Sequence, residues 1–194
     1  MTWRSTQRGA AMVEMAITIS LFLALVFAIL EFSIAIFQWS RVVEATRAGA
    51  RYAIVNEPAC DIYGTGLGAA CPDPLDCDDP LNSTRTVSVT GNCTLASPLS
   101  IADAGCSIVE QMRQIQPLIA QSAGATVDIS YSCSDAGFVD LLDKIPVVSV
   151  AIAGVQYEFI VPTVIGIDDA SITMPAFETT RTGEDLGTVF PAAP

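Results

Sequence analysis

The first part of the chain holds an almost unbroken apolar run. From Met15 to Trp39 the sequence reads MAITISLFLALVFAILEFSIAIFQW, in which Glu31 is the one charged residue. About 20 helical residues cross the ~30 Å of membrane hydrocarbon, so the run is long enough to span it. Because it is apolar on every side and exceeds the roughly 7–15 apolar residues of a secretory signal, we predict a transmembrane helix, not a buried core helix or a signal peptide.

A helical pattern continues beyond the apolar run. The sequence SRVVEATRAGARYAIV follows Trp39 and keeps a helical period. Within it Ala45, Gly49 and Ala53 recur every four positions, a stripe of small residues that lets another backbone approach closely. We predict that the helix leaves the membrane without stopping. The stripe then packs either on the protein's own domain or on another subunit.

The rest of the chain carries the periods of strands and of one helix. Alternating β-branched residues predict strands, and an apolar stripe at helical spacing predicts a helix that Pro117 kinks or ends. The predicted elements are strands at 84–91, 126–131, 147–161 and 170–180 and a helix at 103–121. They predict an α+β domain, in which one main helix packs on an antiparallel β-meander.

A long stretch without periodicity separates the two parts. Residues 57–83, EPACDIYGTGLGAACPDPLDCDDPLNS, are rich in Gly, Pro, Asp and Cys, which is typical of a loop held by disulfides. Loops of this length inside a domain are usually functional or mobile. Its carboxylates (Asp73, Asp76, Asp78 and Asp79) lack the spacing of an EF-hand and its closing Glu. We therefore expect solvated acidic turns there, and neither a metal nor a cofactor.

All six cysteines follow the apolar run, and no two of them form a CxxC pair (Cys60, Cys71, Cys77, Cys93, Cys106 and Cys133). With no histidine in the chain, zinc is disfavoured and disulfides in an oxidising compartment are favoured. Residues 106–122 climb about 24 Å as a helix, and residues 126–133 return about 23 Å as a strand. We therefore predict a Cys106–Cys133 bond, with the other four cysteines pairing among themselves.

Charge is divided unevenly along the 194 residues. The first 56 carry five basic and three acidic side chains, whereas the rest carry four basic and eighteen acidic ones. A domain so acidic repels phosphate backbones, so we exclude nucleic acid as a partner. The absence of histidine and of a Gly-rich phosphate loop after a strand argues against an enzyme. Arg4, Arg8 and the starting amine favour a cytoplasmic N-terminus, and the cysteines place the region beyond residue 40 on the oxidising side.

The entry to the apolar run carries a recognisable motif. Residues 8–17 read RGAAMVEMAI, a short basic leader ending in Gly9 with Glu14 as the fifth residue after it. This pattern resembles the class III signal of type IV pilins. With LEF at 30–32 and EATRAGARYA at 44–53, the chain resembles TadE-like proteins, the minor pilins (pseudopilins) of tight-adherence (Tad/Flp) pili.

The resemblance implies a processed membrane protein. A prepilin peptidase would cut between Gly9 and Ala10 on the cytoplasmic side, leaving the apolar helix in the product. The implied partners are that peptidase, other Tad pilins, the inner-membrane assembly platform and membrane lipid. The implied role is assembly or initiation of the pilus, with a part in adhesion.

The sequence patterns and the resemblance together predict a layout and a location. The layout is a leader (1–9), a pilin-like transmembrane helix (10–55), the Cys/Asp/Pro-rich loop (56–83), a periplasmic α+β domain (84–181) and a mobile tail (182–194). The protein would cross the inner membrane once, with its C-terminal domain in the periplasm or carried into the extracellular pilus.

The two acidic residues of the apolar region receive separate hypotheses. Cleavage after Gly9 would create an α-amine on Ala10, and Glu14, one helical turn on, would pair with it within the subunit or on a neighbour and so fix axial register. The alternative places Glu14 among lipid headgroups. Glu31 lies about 25 Å further along the helix than Glu14, and we favour a position near the far interface over a contact between subunits.

A second function is compatible with the same sequence. The chain would then be a membrane-tethered periplasmic binding module whose disulfide-bound loop recognises a ligand or partner, with its anchor uncleaved. Loss of Met1 to Gly9 distinguishes the two hypotheses, because a pilin loses the leader and a simple tether need not.

Overall fold

The computed structural model describes residues 4–56, 58–60, 62, 75, 81, 83–94, 104–133, 146–161 and 170–182, with side chains from residue 9 onward. The predicted acidic cluster (Asp73, Asp76, Asp78 and Asp79), Cys71, Cys77 and the tail after Thr182 lie outside these residues. By compactness the chain divides into two units. One contains Met1–Gln38 and Glu158–Ile172, and the other contains Trp39–Tyr157 and Thr173–Pro194.

A single helix, α1 (Arg4–Val55), contains the whole apolar run. Its 52 residues correspond to about 78 Å of helix. The helix is long and apolar enough to cross a membrane, and almost none of its most apolar window is buried inside the protein. It continues through Gly9 and Trp39 without a break, in agreement with the prediction that the helix does not stop after the apolar run.

The remaining elements are those of an α+β domain, as predicted. Four strands form an antiparallel sheet in the order β1-β2-β3-β6, and two short strands pair as β4-β5. The elements in chain order are β1 (Thr84–Thr90), α2 (Ala104–Ile115), α3 (Leu118–Gln121), β2 (Thr126–Cys133), β3 (Pro146–Ala153), β4 (Gln156–Glu158), β5 (Ser171–Thr173) and β6 (Phe177–Thr182).

The two faces of the four-stranded sheet differ in polarity. Alternate residues of β2 and β3 are buried, and they face one another in register, as in the pairs Ile129↔Val150 and Tyr131↔Val148. The other face carries polar pairs between strands, such as the Thr86 and Ser130 hydroxyls 2.8 Å apart. Apolar side chains of α2 and α3 complete the core (Ile108, Val109, Met112 and Ile119). The sheet therefore has one buried face, which shares its core with the main helix.

Two predicted strands are each divided in the structure. The predicted strand 147–161 is broken after β3 because Gly154 adopts a φ of 73°, a conformation that L side chains rarely take. A Cβ atom at Gly154 would also lie 2.0 Å from the carbonyl oxygen of Gly124. Pro175, which has no N–H to donate, lies in the gap between β5 and β6. The predicted helix ends at Ile115, just before Pro117.

The predicted Cys106–Cys133 disulfide is wrong, because Cys106 bonds to Cys93 with their Cα atoms 5.9 Å apart. Cys133 lies at the opposite end of β2 from the turn that leads to Cys93, as its amide donates to the carbonyl of Ser83. The prediction assumed that the strand retraces the whole helix. Instead, the first turn of α2 lies near the end of β1, with Gly105 close to Val89. Cys60 and Cys133 each take part in a disulfide bond as well.

A half-buried arginine reinforces the same junction. The Nε atom of Arg113, in the last turn of α2, donates to the carbonyl of Gly91 at 2.7 Å, and its Nη2 atom donates to the carbonyl of Cys93 at 2.5 Å. Its Nη1 atom donates to Glu110 at 3.0 Å. The guanidinium thus satisfies two carbonyls of the chain that leaves β1, and it connects α2 to the sheet independently of the disulfide.

Candidate functional site on the N-terminal helix

The first part of α1 presents apolar side chains around its whole circumference. Large apolar side chains from Met12 to Leu25 are exposed on every face, and from Val26 to Trp39 they are exposed except on the face of Glu31. Its few hydroxyls bond to the helix's own backbone, as Thr18, Ser20 and Ser33 each donate to the carbonyl four residues earlier at 2.7–2.9 Å. A surface of this kind is unfavourable in water, and it offers no unsatisfied hydroxyl to lipid.

The predicted processing residues lie on an open part of this helix. Gly9, Ala10 and Glu14 are all exposed, and a Cβ atom built on Gly9 would meet nothing within 4 Å. Residues 10 and 14 are one turn apart on the same face. Within the described part of the chain the Glu14 carboxylate has no hydrogen bond or ion pair. The fold therefore leaves both the Gly9–Ala10 bond and the Glu14 carboxylate accessible from outside.

Glu31 is in a different situation, since it is only 8% exposed although its neighbours on α1 are open. Its Oε1 atom accepts hydrogen bonds from two consecutive amides, that of Ile160 and, at 2.9 Å, that of Val161. The favoured expectation for Glu31 was a carboxylate at the membrane interface. The structure gives the carboxylate two donors from its own chain, in the connection between β4 and β5, and its position at the interface stays a prediction.

The sequence indicated that Glu31 needs hydrogen-bond donors, but not which groups supply them. One carboxylate in an apolar run indicates that donors must be nearby. Nothing in the sequence indicates backbone amides 129 and 130 residues away, because an amide carries no side-chain signature.

The small-residue stripe lies within the second unit. Ala45, Gly49 and Ala53 are buried. A Cβ atom at Gly49 would lie 2.8 Å from both Cγ and Sδ of Met112 and 3.5 Å from Ile108. Of the two partners left open by the sequence, the structure places α2 of the same chain against Gly49.

The described residues offer no group of three or more His, Cys, Asp or Glu side chains that is placed to bind a metal ion. The helix and the domain together define a class: a protein with one membrane-capable N-terminal helix that continues into a disulfide-bonded α+β domain.

Comparison with known proteins finds a match, which falls on this helix. Residues 9–51 match the family model described as TadE-like protein. The match covers less than half of the chain, so it supports a likeness of the N-terminal helix to TadE-like proteins of the Tad pilus system. No curated protein and no solved structure matches the chain significantly. The matched region contains Gly9, Glu14, Glu31 and Gly49, so the family pattern covers the anchor and not the sheet.

Proposed function

We propose that this protein is a minor pilin (pseudopilin) that takes part in the assembly or initiation of a tight-adherence type IV pilus and thereby in adhesion. The family match over residues 9–51 is the observation that carries the proposal. A subunit of this kind acts by helix association and not by catalysis. Its domain faces the periplasm of a bacterial inner membrane until the subunit enters the pilus.

Removal of residues 1–9 by a prepilin peptidase is the first step of the proposed cycle. The exposed position of Gly9 and Ala10 on α1 supports it, because a protease must reach the bond that it cuts. The new α-amine of Ala10 then needs a negative partner once water is excluded. Glu14 is the nearest carboxylate in sequence, and it has no competing partner within the described residues.

Registry between subunits is the second step. When apolar helices associate, dispersion and hydrophobic contacts change little as one slides along the other, whereas an unpaired charge in a low dielectric is costly. The pair between the Ala10 amine and a Glu14 carboxylate, within a subunit or on a neighbour, therefore selects one axial position. The exposed carboxylate of Glu14 supports this role, since it remains available to a second helix.

Pilus assembly in the host bacterium tests the proposal. A strain lacking this protein is complemented with the parent chain, with Glu14→Gln or with Glu44→Gln, and surface pili are counted by electron microscopy. Glu44 is the matched control, because it is an exposed glutamate on the same helix, paired with Arg47 at 3.6 Å. We expect few or no pili without the protein and with Glu14→Gln, and parental numbers with Glu44→Gln.

Two results would count against the proposal. Normal numbers of pili in the strain that lacks the protein would remove the assembly role altogether. Normal numbers with Glu14→Gln alone would leave the assembly role standing but would eliminate the registry mechanism. Immunoblots of membranes must show equal amounts of the two variants, so that a loss of pili reflects assembly and not abundance.

A further inference from the structure

We propose that the segment Phe159–Val161 lies in the bilayer beside α1, held against it by Glu31, with the side chain of Ile160 in contact with lipid acyl chains. The inference requires only that α1 spans a membrane. It goes beyond the proposed pilin function, and it adds a second membrane contact from a part of the chain far from the anchor in sequence.

The depth of Glu31 follows from its position on the helix. If the hydrocarbon begins at Glu14, a ~30 Å slab ends about 20 residues later, beyond Glu31. If it ends instead at Trp39, a typical interfacial residue, Glu31 lies about 12 Å below that boundary. In either alignment the carboxylate of Glu31 falls within the hydrocarbon, and so do the amides bonded to it.

The hydrogen bonds at Glu31 satisfy two needs that exist only away from water. A bare carboxylate in hydrocarbon is costly, and so is an unbonded backbone N–H. Both costs are lowered when the amides of Ile160 and Val161 donate to Oε1 of Glu31. The amide just before these two in the chain, that of Phe159, donates to the carbonyl of Ala170 at 2.8 Å. Three consecutive N–H groups are therefore bonded without water.

The side chains of this segment match that environment. Ile160 is 62% exposed, and Phe159 and Val161 are half-buried. On α1 the neighbours of Glu31 in sequence, Leu30 and Phe32, are exposed as well. The exposed apolar surface of the segment thus belongs to the same compact unit as the exposed apolar surface of the anchor. If the anchor is surrounded by lipid, the side chain of Ile160 is expected to contact lipid too.

Depth-resolved fluorescence tests the inference on the full-length protein in phosphatidylcholine–phosphatidylglycerol vesicles. A single cysteine is introduced as Ile160→Cys or, as an equally exposed apolar control further along α1, as Val55→Cys. Each is labelled with the dye NBD without reductant, because no described cysteine is free. Quenching by a nitroxide on the lipid acyl chains is then compared with quenching by aqueous iodide.

We expect the acyl-chain nitroxide to abolish most of the emission of the label at position 160, with a blue-shifted maximum and little quenching by iodide. The label at position 55 should show the reverse. Equal iodide quenching at both positions would overturn the inference, since it would place Ile160 in water. A label at 160 shielded from both quenchers would also overturn it, because it would indicate a protein partner, such as a second copy, in place of lipid.

The role of Glu31 is tested by a further pair of variants in the Ile160→Cys background. Glu31→Ala removes the acceptor of two amides, so the labelled segment should leave the lipid and its quenching should change from nitroxide to iodide. Glu44→Ala should leave the nitroxide quenching unchanged. If the label stayed in lipid in Glu31→Ala, Glu31 would not be what holds the segment.

Discussion

At Gly49 the backbone of α1 lies against the side chain of Met112 on α2, so a larger residue there would require Met112 to move. The Cβ atom of any other residue would lie 2.8 Å from Met112, in a core where Ala45, Ala50 and Ala53 are completely buried. Small residues at these positions are thus explained by packing within the chain. Single residues of this kind, and not whole elements, set how closely α1 and α2 approach.

Enlargement of Gly49 tests this packing. Gly49→Leu forces extra atoms into a filled core, which typically costs about 1–3 kcal/mol. For a protein of this size we expect the melting temperature to fall by about 3–10 °C in thermal unfolding of the detergent-solubilised protein. Arg51→Leu, an exposed position on the same helix, should stay within about 0.5 kcal/mol of the parent. Equal stability of both variants would contradict the contact with Met112.

The bonds made by Arg113 give a second residue-scale prediction. Its side chain is 15% exposed, whereas that of its salt-bridge partner Glu110 is 43% exposed. Arg113→Met keeps the apolar stem but leaves the carbonyls of Gly91 and Cys93 without their donor, and we expect a loss of about 2–3 kcal/mol in chemical unfolding. Glu110→Gln should cost less than about 1 kcal/mol. A larger loss for Glu110→Gln than for Arg113→Met would show that the ion pair matters more than the carbonyl contacts.

Among the elements, α2 has its place fixed by two links to the end of β1. One is the guanidinium of Arg113 and the other is the Cys93–Cys106 bond, which closes a short loop with a sequence separation of 13. The loop limits how far the first turn of α2 can move from the sheet. Both links involve only Gly91 and Cys93 after the end of β1, so the connection is concentrated at one corner of the domain.

Removal of the disulfide tests how much it contributes to the free energy of unfolding. For a closed loop of about 15 residues, a disulfide stabilises a fold by about 3 kcal/mol, so the double variant Cys93→Ser, Cys106→Ser should lose about that much in chemical unfolding. Non-reducing peptide mapping of the parent should join the peptides that contain these two cysteines. A map that joined Cys106 to Cys133 would contradict the observed topology and restore the packing expected from element lengths.

Elements with a clear period were predictable, and pairings between distant elements were not. The apolar run of α1, the alternation of β1 and the break at Pro117 each follow from a few neighbouring residues. Lengths alone did not predict the disulfide, because a helix of suitable length need not lie along the strand that follows it. The hydrogen bond from the Ile160 amide to Glu31 could not be predicted, since it depends on where the β4–β5 connection lies in space.

For the whole molecule, the apolar part of α1 and the chain after residue 56 differ sharply in the chemistry of their side chains. The unit with the first part of α1 exposes apolar side chains from Met12 onward, whereas the chain after residue 56 carries four basic and eighteen acidic residues. An acidic domain with disulfides suits an aqueous, oxidising compartment. The TadE-like match covers residues 9–51, so the proposed pilin function depends on the anchor, and above all on its first turns.

The start of the mature chain tests the central claim most directly. Mass spectrometry of the membrane-extracted protein, from cells with and without the candidate prepilin peptidase, gives the N-terminus in each case. We predict a chain that begins at Ala10 when the peptidase is present and at Met1 when it is absent. A chain that retains Met1 to Gly9 in both strains would contradict the account and leave a membrane-tethered periplasmic module with an uncleaved anchor.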